Sequence, residues 1–307
     1  MKRLLFVCNP RSGKEQIRMK LLDILDIFVK HEYEVSVHVT QAQGDALSVV
    51  KERAADCDLV VCSGGDGTLN EVISGLMEIP EEKRPDLGYI PSGSTNDYAS
   101  SLGLAKKMKK AAEDAVTGEP FAVDVGQFCA VSGKKFIYVA AFGAFTEVSY
   151  STSQEKKNLL GHQAYMIEAV KRVSGLKSYQ MRFEWDGNVL EDEFILGMVT
   201  NTTSIGGFKG LAGKDVALDD GEFEVLLVRR PRTTKDLAGI ASYLILKEGE
   251  NECVSQFRAK HLKVTSEEAV DWTLDGEFGG SVAEVEIENL CRAVRICRKA
   301  EEDVDLA

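Results

Sequence analysis

Four short apolar runs near the start of the chain, LLFVC, EVSVHV, DLVVC and LGYIP, alternate with amphipathic segments, and this alternation restricts the fold most. The intervening stretches, Ile17 to Val29, about Ala46 to Ala55, Thr68 to Met77 and one opening near Asn96, repeat apolar residues at helical spacing. Strands that pair in parallel need a crossover, which a helix supplies. A parallel sheet with helices on its faces is therefore expected. Ligands of such sheets lie beyond the carboxyl ends of the strands.

Two of those ends are rich in glycine and hydroxyl residues. After DLVVC comes SGGDGTLNE, and GYIPSGSTNDYASSLGL, residues 88 to 104, repeats the order of strand, small polar turn and helix start. Glycines allow backbone N–H groups and a helix N-terminus to approach an anion. Asp66 at the tip would repel a bare phosphate; it fits if a divalent cation intervenes or if it joins a charge network near the reacting phosphate. The loop lacks the GxxxxGK[ST] spacing, and Asn70 stands where GxGxxG needs its third glycine. Alone, such a turn is as readily structural as nucleotide-binding; the second copy, with Asp97 beside hydroxyls, strengthens the functional reading.

From about Val123 the pattern changes to strand-like runs, FAVDVGQF, KFIYVAAF, QMRFEW, FILGMVTN, FEVLLVRR, HLKVTSEE and AEVEIENL, separated by turn residues. This half is expected to be largely antiparallel sheet, with helices inserted at Leu159 to Val173 and Lys235 to Lys247. A chain of 307 residues, 44% of them hydrophobic, exceeds one compact lobe, so two domains are expected, 1–123 and 124–300. The extreme C-terminus could pack back on the first, and EEDVDLA reads as a solvated tail. The formal net charge of −12 argues against nucleic acid as partner. Seven cysteines, an odd number without CxxC spacing, read as buried thiols of a reducing compartment. The five-residue apolar run after MKR is too short for a signal core or a membrane span, which points to the cytoplasm.

NPRSGK, SGGDGTLNEV, PSGSTNDYA, the DVG step at Asp124 and WTLDGE at Trp272 to Glu277 occur in one order. Together they resemble the diacylglycerol kinase catalytic family, which includes bacterial diacylglycerol kinases and sphingosine kinases, over nearly the whole chain. The resemblance implies a nucleotide-binding α/β domain followed by a β-sandwich domain, with ATP in the cleft between them and its γ-phosphoryl passed to a lipid hydroxyl. It assigns Gly64, Gly65, Asp66, Gly67 and Thr68 to the ATP phosphates. Asn9, Ser12, Gly13, Thr40 and Thr95 match other nucleotide-lining positions. Asp66, Asp97 and Asp124 correspond to an acidic trio at a catalytic Mg2+ network.

In LDGEFGG, Asp275 and Glu277 bracket one glycine in an expected turn, so both acids can point into one cleft; the alternative is an ordinary Asp-Gly hairpin. By resemblance Asp275 is the base that accepts the substrate proton, and Glu277 orients it or the metal. VALDDGEFEV resembles the family's structural Mg2+ loop, through the carbonyls of Ala217 and Glu222 and the side chain of Asp220; a metal-free hairpin is the alternative. KKMKK at 106–110, Lys14 with Arg18 and Lys20, and Lys171 with Arg172 are basic clusters that could meet a membrane surface peripherally, or be solvated helix faces. The apolar helix at 237–246 could line an acyl pocket or pack in the core. The four histidines show no metal-ligand spacing. The family also implies a possible homodimer. The leading expectation is an ATP-dependent lipid kinase acting on diacylglycerol. The alternatives are another acceptor, such as a sphingoid base, phosphatidylglycerol or a polyprenol, and a catalytically silent lipid- or nucleotide-binding protein.

Overall fold

The computed structural model describes residues 1–13, 16–130, 133–143, 177–205, 208–209, 216–246 and 251–299. The expectations for Leu159 to Val173, for Lys14, His162, Lys171 and Arg172, and for the acidic tail lie outside the described residues. Contacts divide the chain into Met1–Asp124 with the segment that begins at Arg292, and Val125–Cys291.

In the first unit, β1 (Lys2–Cys8), β2 (Tyr33–Val39), β3 (Leu59–Gly64) and β4 (Asp86–Pro91) form a parallel sheet in the order β4-β3-β1-β2. The last part of β15 (Glu277–Arg298) adds parallel to β4, with Ile296 opposite Leu87. β3 is buried at every position, as a central strand covered on both faces must be. β2 is the edge, and its half-exposed pattern matches its alternating sequence. Helices α1 (Ile17–Lys30) and α5 (Met108–Thr117) pack together over Leu4, Phe6, Leu59 and Val61, with Phe28 edge-on to Phe6 at 5.4 Å between centroids. α2 (Asp45–Arg53) packs on α3 (Asp66–Met77) so closely that a Cβ on Gly75 would sit 2.7 Å from the Leu47 carbonyl. α3 starts two residues earlier than its apolar spacing suggests, because the glycine loop itself provides the first turn.

Arg84 ties the end of α3 to the returning chain. Its guanidinium donates to the carbonyls of Leu76 at 3.0 Å and Ile79 at 3.1 Å, and to that of Ala293. The Leu76 carbonyl lies in the last turn of α3, which leaves its carbonyls without i+4 intrahelical donors.

The second unit is antiparallel. Its strands run β13 (Val254–Ala259), β12 (Phe223–Arg229), β9 (Asn188–Thr200), β7 (Val139–Gly143), β14 (His261–Leu274) and β15. β7 and β8 (Tyr179–Trp185) lie end to end between the long strands β9 and β14, each pairing with both. Aromatic side chains fill the core: Trp272 stands 5.0 Å from Phe142 and 5.4 Å from Phe128 between ring centroids. β13, at VSQFRA, had no turn-bounded alternation to announce it. KFIYVAAF, expected as one strand, is broken at Ile137 and Tyr138 between β6 (Lys134–Phe136) and β7.

The cysteines divide: Cys8, Cys62 and Cys297 are buried, and burial raises their thiol pKa values, whereas Cys291 is exposed. No described helix is long and apolar enough to cross a membrane. In the helix Thr234–Leu246, Ile240 is buried and Tyr243 donates its hydroxyl to Gln256 at 2.7 Å. The described histidines pair with carboxylates: His31 with Glu113, His38 with Asp45 and His261 with Glu286.

Glu224 in β12 is 5% exposed, and burial pushes its carboxyl up to about 7 from 4.5 despite a 3.2 Å bond from Arg258. The folded chain thus keeps this proton to higher pH than the unfolded chain. Its contribution to stability is full below 4.5 and is lost as pH rises through about 7. Urea unfolding between pH 5 and pH 8 should show a smaller loss of stability for Glu224→Gln than for the wild type.

Candidate active site

Three loops leave the carboxyl ends of adjacent strands β1, β3 and β4, and they meet. The Asn9 N–H donates to the Ser63 carbonyl at 2.8 Å, the Asn9 side-chain amide to Thr68 Oγ1 at 3.0 Å, and the Ser92 N–H to the Gly64 carbonyl at 2.8 Å. Gly13, at φ +54°, would place a Cβ 2.2 Å from the Ser92 carbonyl oxygen, and one on Gly93 would lie 2.6 Å from Gly65 Cα. Only glycine fits at these crossings. A Cβ on Gly67 would instead meet nothing within 4 Å, so the first turn of α3 opens to space. Gly65, the residue before α3, makes no side-chain cap. An exposed helix start without a side-chain cap is where N–H groups and the helix dipole favour an anion. Ser12 and Thr68 are buried beside it, Thr40 is half-buried with its N–H on the Cys8 carbonyl, and Thr95 is exposed.

The acids of these motifs bind backbone. Asp66 accepts the N–H groups of Asp97 at 3.2 Å and Tyr98 at 3.4 Å, the first two residues of the short helix Asp97–Ser101. Glu71, five residues further along α3, accepts those of Gly44 at 2.8 Å and Ala46 at 3.2 Å at the start of α2. Each carboxylate therefore caps a neighbouring helix from outside. Asp124 is fully buried and accepts the Arg292 N–H at 2.7 Å, where Arg292 takes φ 52°. Asp97 is buried too.

Among the described residues no three His, Cys, Asp or Glu side chains form a group able to hold a metal ion. Asp66 and Asp124, expected with Asp97 at a Mg2+ network, each accept backbone N–H groups.

Asp275 and Gly276 form a two-residue loop between Leu274 and its partner Glu277, with φ 50° and 86°, the left-handed pair of a tight hairpin. Asp186 and Gly187 make the same turn between β8 and β9, with φ 45° and 79°, and there the aspartate is exposed. The turn alone does not bury its aspartate. Asp275 is 6% exposed because its carboxylate turns inward onto the break in KFIYVAAF: Oδ2 accepts the Ile137 N–H at 2.7 Å, and Oδ1 accepts those of Tyr138 and Val139 at 3.0 Å. Three donors supply the solvation that a buried anion requires. Glu277 is exposed, so the two acids do not share the same surroundings as expected.

In the 216–225 loop, Asp220 Oδ1 accepts the Glu222 N–H at 3.0 Å, and Oδ2 pairs with Arg258 at 2.5 Å. Arg258 also reaches Glu222 at 3.3 Å and Glu224 at 3.2 Å. A guanidinium thus pairs with the Asp220 side chain that was expected, with the Ala217 and Glu222 carbonyls, to hold a structural Mg2+ ion. Arg258, Glu71 and Arg292 were missed from sequence. Each acts on residues more than twenty positions away, and no local pattern marks them.

The diacylglycerol kinase catalytic domain family matches residues 3–128, and the YegS C-terminal NAD kinase beta sandwich-like domain matches residues 140–298. A Bacillus subtilis diacylglycerol kinase is 35% identical over 298 residues, 96% of each chain. The chain belongs to the diacylglycerol kinase family. This lipid kinase is also 35% identical to the Staphylococcus carnosus diacylglycerol kinase, over 92% of its own length and 90% of the other's. A Bacillus anthracis crystal structure provisionally described as a diacylglycerol kinase superposes with a TM-score of 0.80 at 27% identity, covering 97% of this chain and 95% of that one.

Chelation with EDTA should leave the melting temperature of this kinase unchanged, because Arg258 is part of the chain. Arg258→Ala should lower it by about 2–4 °C. Excess Mg2+ should recover part of that loss by entering among the three freed carboxylates, as read by calorimetry.

Proposed function

We propose that the enzyme transfers the γ-phosphoryl group of ATP to the free hydroxyl of diacylglycerol, giving phosphatidic acid and ADP. The observation that carries this reading is the close backbone meeting of Gly13, Gly65 and Gly93 beneath the open first turn of α3. That surface suits a polyphosphate, whose oxygens would take N–H donors in place of water. Asn9 and Thr68, bonded to each other, would fix the loop against the nucleotide. Mg2+ would come with the nucleotide, supplying charge neutralisation on the phosphate oxygens and keeping several of its waters.

In this reading Asp275 accepts the proton of the attacking hydroxyl. The alcohol oxygen forms the new bond to the γ-phosphorus, the bond from that phosphorus to the bridging oxygen breaks, and ADP departs with the electron pair. Its three backbone donors would hold the carboxylate in one orientation, which is the positioning that phosphoryl transfer asks of a protein. The family relationship to named diacylglycerol kinases supports that acceptor, since the loops recognise the phosphate end alone.

Labelled γ-phosphate transfer to micellar diacylglycerol, sphingosine, phosphatidylglycerol and undecaprenol checks the acceptor. Labelled phosphatidic acid is expected, and strong labelling of another lipid with none on diacylglycerol would overturn the choice. Asp275→Asn should lower kcat by on the order of 10² or more while ATP affinity holds. A loss of less than about threefold would remove Asp275 from the chemistry.

A further inference from the structure

Among the described residues of the second unit, two large hydrophobic side chains are exposed, Val189 at 51% and Phe278 at 53%. Each stands two positions after the glycine of an Asp-Gly hairpin, so the two can be compared directly. A single exposed hydrophobic residue is ordinary. What separates this pair is how each comes to face outward. Across the Asp186 turn the ladder is regular: Phe183 opposes Leu190 and Glu184 opposes Val189. Phe183 and Leu190 face the core, so Val189 faces away by simple alternation.

Across the Asp275 turn the ladder is broken. Trp272 opposes Gly280 but Thr273 opposes Phe278, which leaves Gly279 as the extra residue of a β-bulge. Trp272 and Leu274 belong to the core, and an unbroken register would set Phe278 opposite Leu274 on that same face. The bulge instead pairs Phe278 with Thr273 and turns the ring away from the core. Two glycines permit it: a Cβ on Gly279 would meet Leu274 Cγ at 2.8 Å, and Gly280 takes φ 138°, where a side chain would be strained. From β6, Lys134 Nζ donates to the Phe278 carbonyl at 3.2 Å and holds the displaced strand. Bulges next to active sites re-aim side chains in this way.

Phe278 lies three residues beyond Asp275, a span of at most about 11 Å even in extended chain. The turn between them is open, since a Cβ on Gly276 would meet nothing nearer than the Tyr138 hydroxyl at 3.9 Å. A diacylglycerol whose free hydroxyl reaches Asp275 brings its nearest ester and first methylenes to the same turn. That part of the molecule carries no charge, and an aromatic ring holds it by burial. We propose that Phe278 is the acceptor-binding residue of this kinase, seating the ester and first acyl carbons of diacylglycerol beside Asp275. The proposal deepens, and rests on, the reading of Asp275 as the group that accepts the hydroxyl proton.

Phosphoryl transfer by the full chain would be followed at varied dioctanoylglycerol and at varied ATP. Phe278→Ala should raise the KM for the diacylglycerol about tenfold and change kcat less than about threefold, because the ring meets a part of the acceptor that transfer leaves unaltered. The KM for ATP and the melting temperature should stay at wild-type values. Phe278→Leu should recover most of the loss, and Val189→Ala should behave as wild type. A wild-type diacylglycerol KM in Phe278→Ala overturns the proposal, and if a dimer becomes a monomer at the same time the ring belongs to a second copy. A rise in both KM values, or a melting temperature lowered in Phe278→Ala and Phe278→Leu alike, also overturns it by making the residue structural. If Asp275→Asn keeps its turnover while Phe278→Ala still raises the diacylglycerol KM, the contact stands and the proton-acceptor reading alone falls. If the wild type phosphorylates another lipid and Phe278→Ala raises the KM for that one, only the choice of diacylglycerol falls; transfer to no lipid at all removes both.

Discussion

The carboxylates of Asp66, Glu71, Asp124 and Asp275 accept backbone N–H groups, and the loops that carry the family's motifs depend on those bonds. Asp66 and Glu71 hold the starts of two helices from a third. Asp124 holds Arg292 in a backbone conformation unusual for a residue with a side chain. Asp275 holds a broken strand at three consecutive amides. An N–H left without its acceptor in such a place costs about 1–3 kcal/mol, so Asp66, Glu71 and Asp275, each holding two or three donors, cannot be exchanged for an amide without loss. A carboxylate in a phosphate loop is thus reasonable even before any metal is considered: it faces the neighbouring helix, and the loop's N–H groups are left to face solvent.

This arrangement also explains why glycine and acid occur together in the motifs. Capping from a distance requires the capped and capping segments to approach within hydrogen-bonding range. Gly13, Gly65 and Gly93 remove the side chains that would keep them apart. The glycines set the spacing and the acids fix it. The result is a rigid floor of main chain under the start of α3, which is the kind of preorganisation that binding a polyphosphate favours.

Much of the first unit was legible because its signals are local. Continuous apolar runs become the buried strands β1 and β3, and the glycine turns fall at their carboxyl ends. The hairpin at Asp275 and Gly276 was also readable. The direction in which that aspartate points was not, because its partners lie more than 130 residues away and the strand that breaks to receive it, KFIYVAAF, has an unbroken apolar sequence. The counter-charge at the 216–225 turn was hidden for a similar reason. DDGE describes a turn rich in acid, and whether a metal ion or an arginine balances that charge depends on what the neighbouring strand supplies at Arg258.

The two Asp-Gly hairpins have different prospects for chemical ageing. An aspartate followed by glycine is prone to cyclise when its side-chain carbonyl carbon swings onto the next backbone nitrogen, and the ring reopens largely to isoaspartate. Asp186 is exposed at its turn and can make that excursion, whereas Asp275 is buried with both oxygens bonded to the facing amides. The same bonds that orient the proposed catalytic group also keep its carbon away from the Gly276 nitrogen. In an old sample of this enzyme, isoaspartate should therefore accumulate at the exposed turn and spare the buried one.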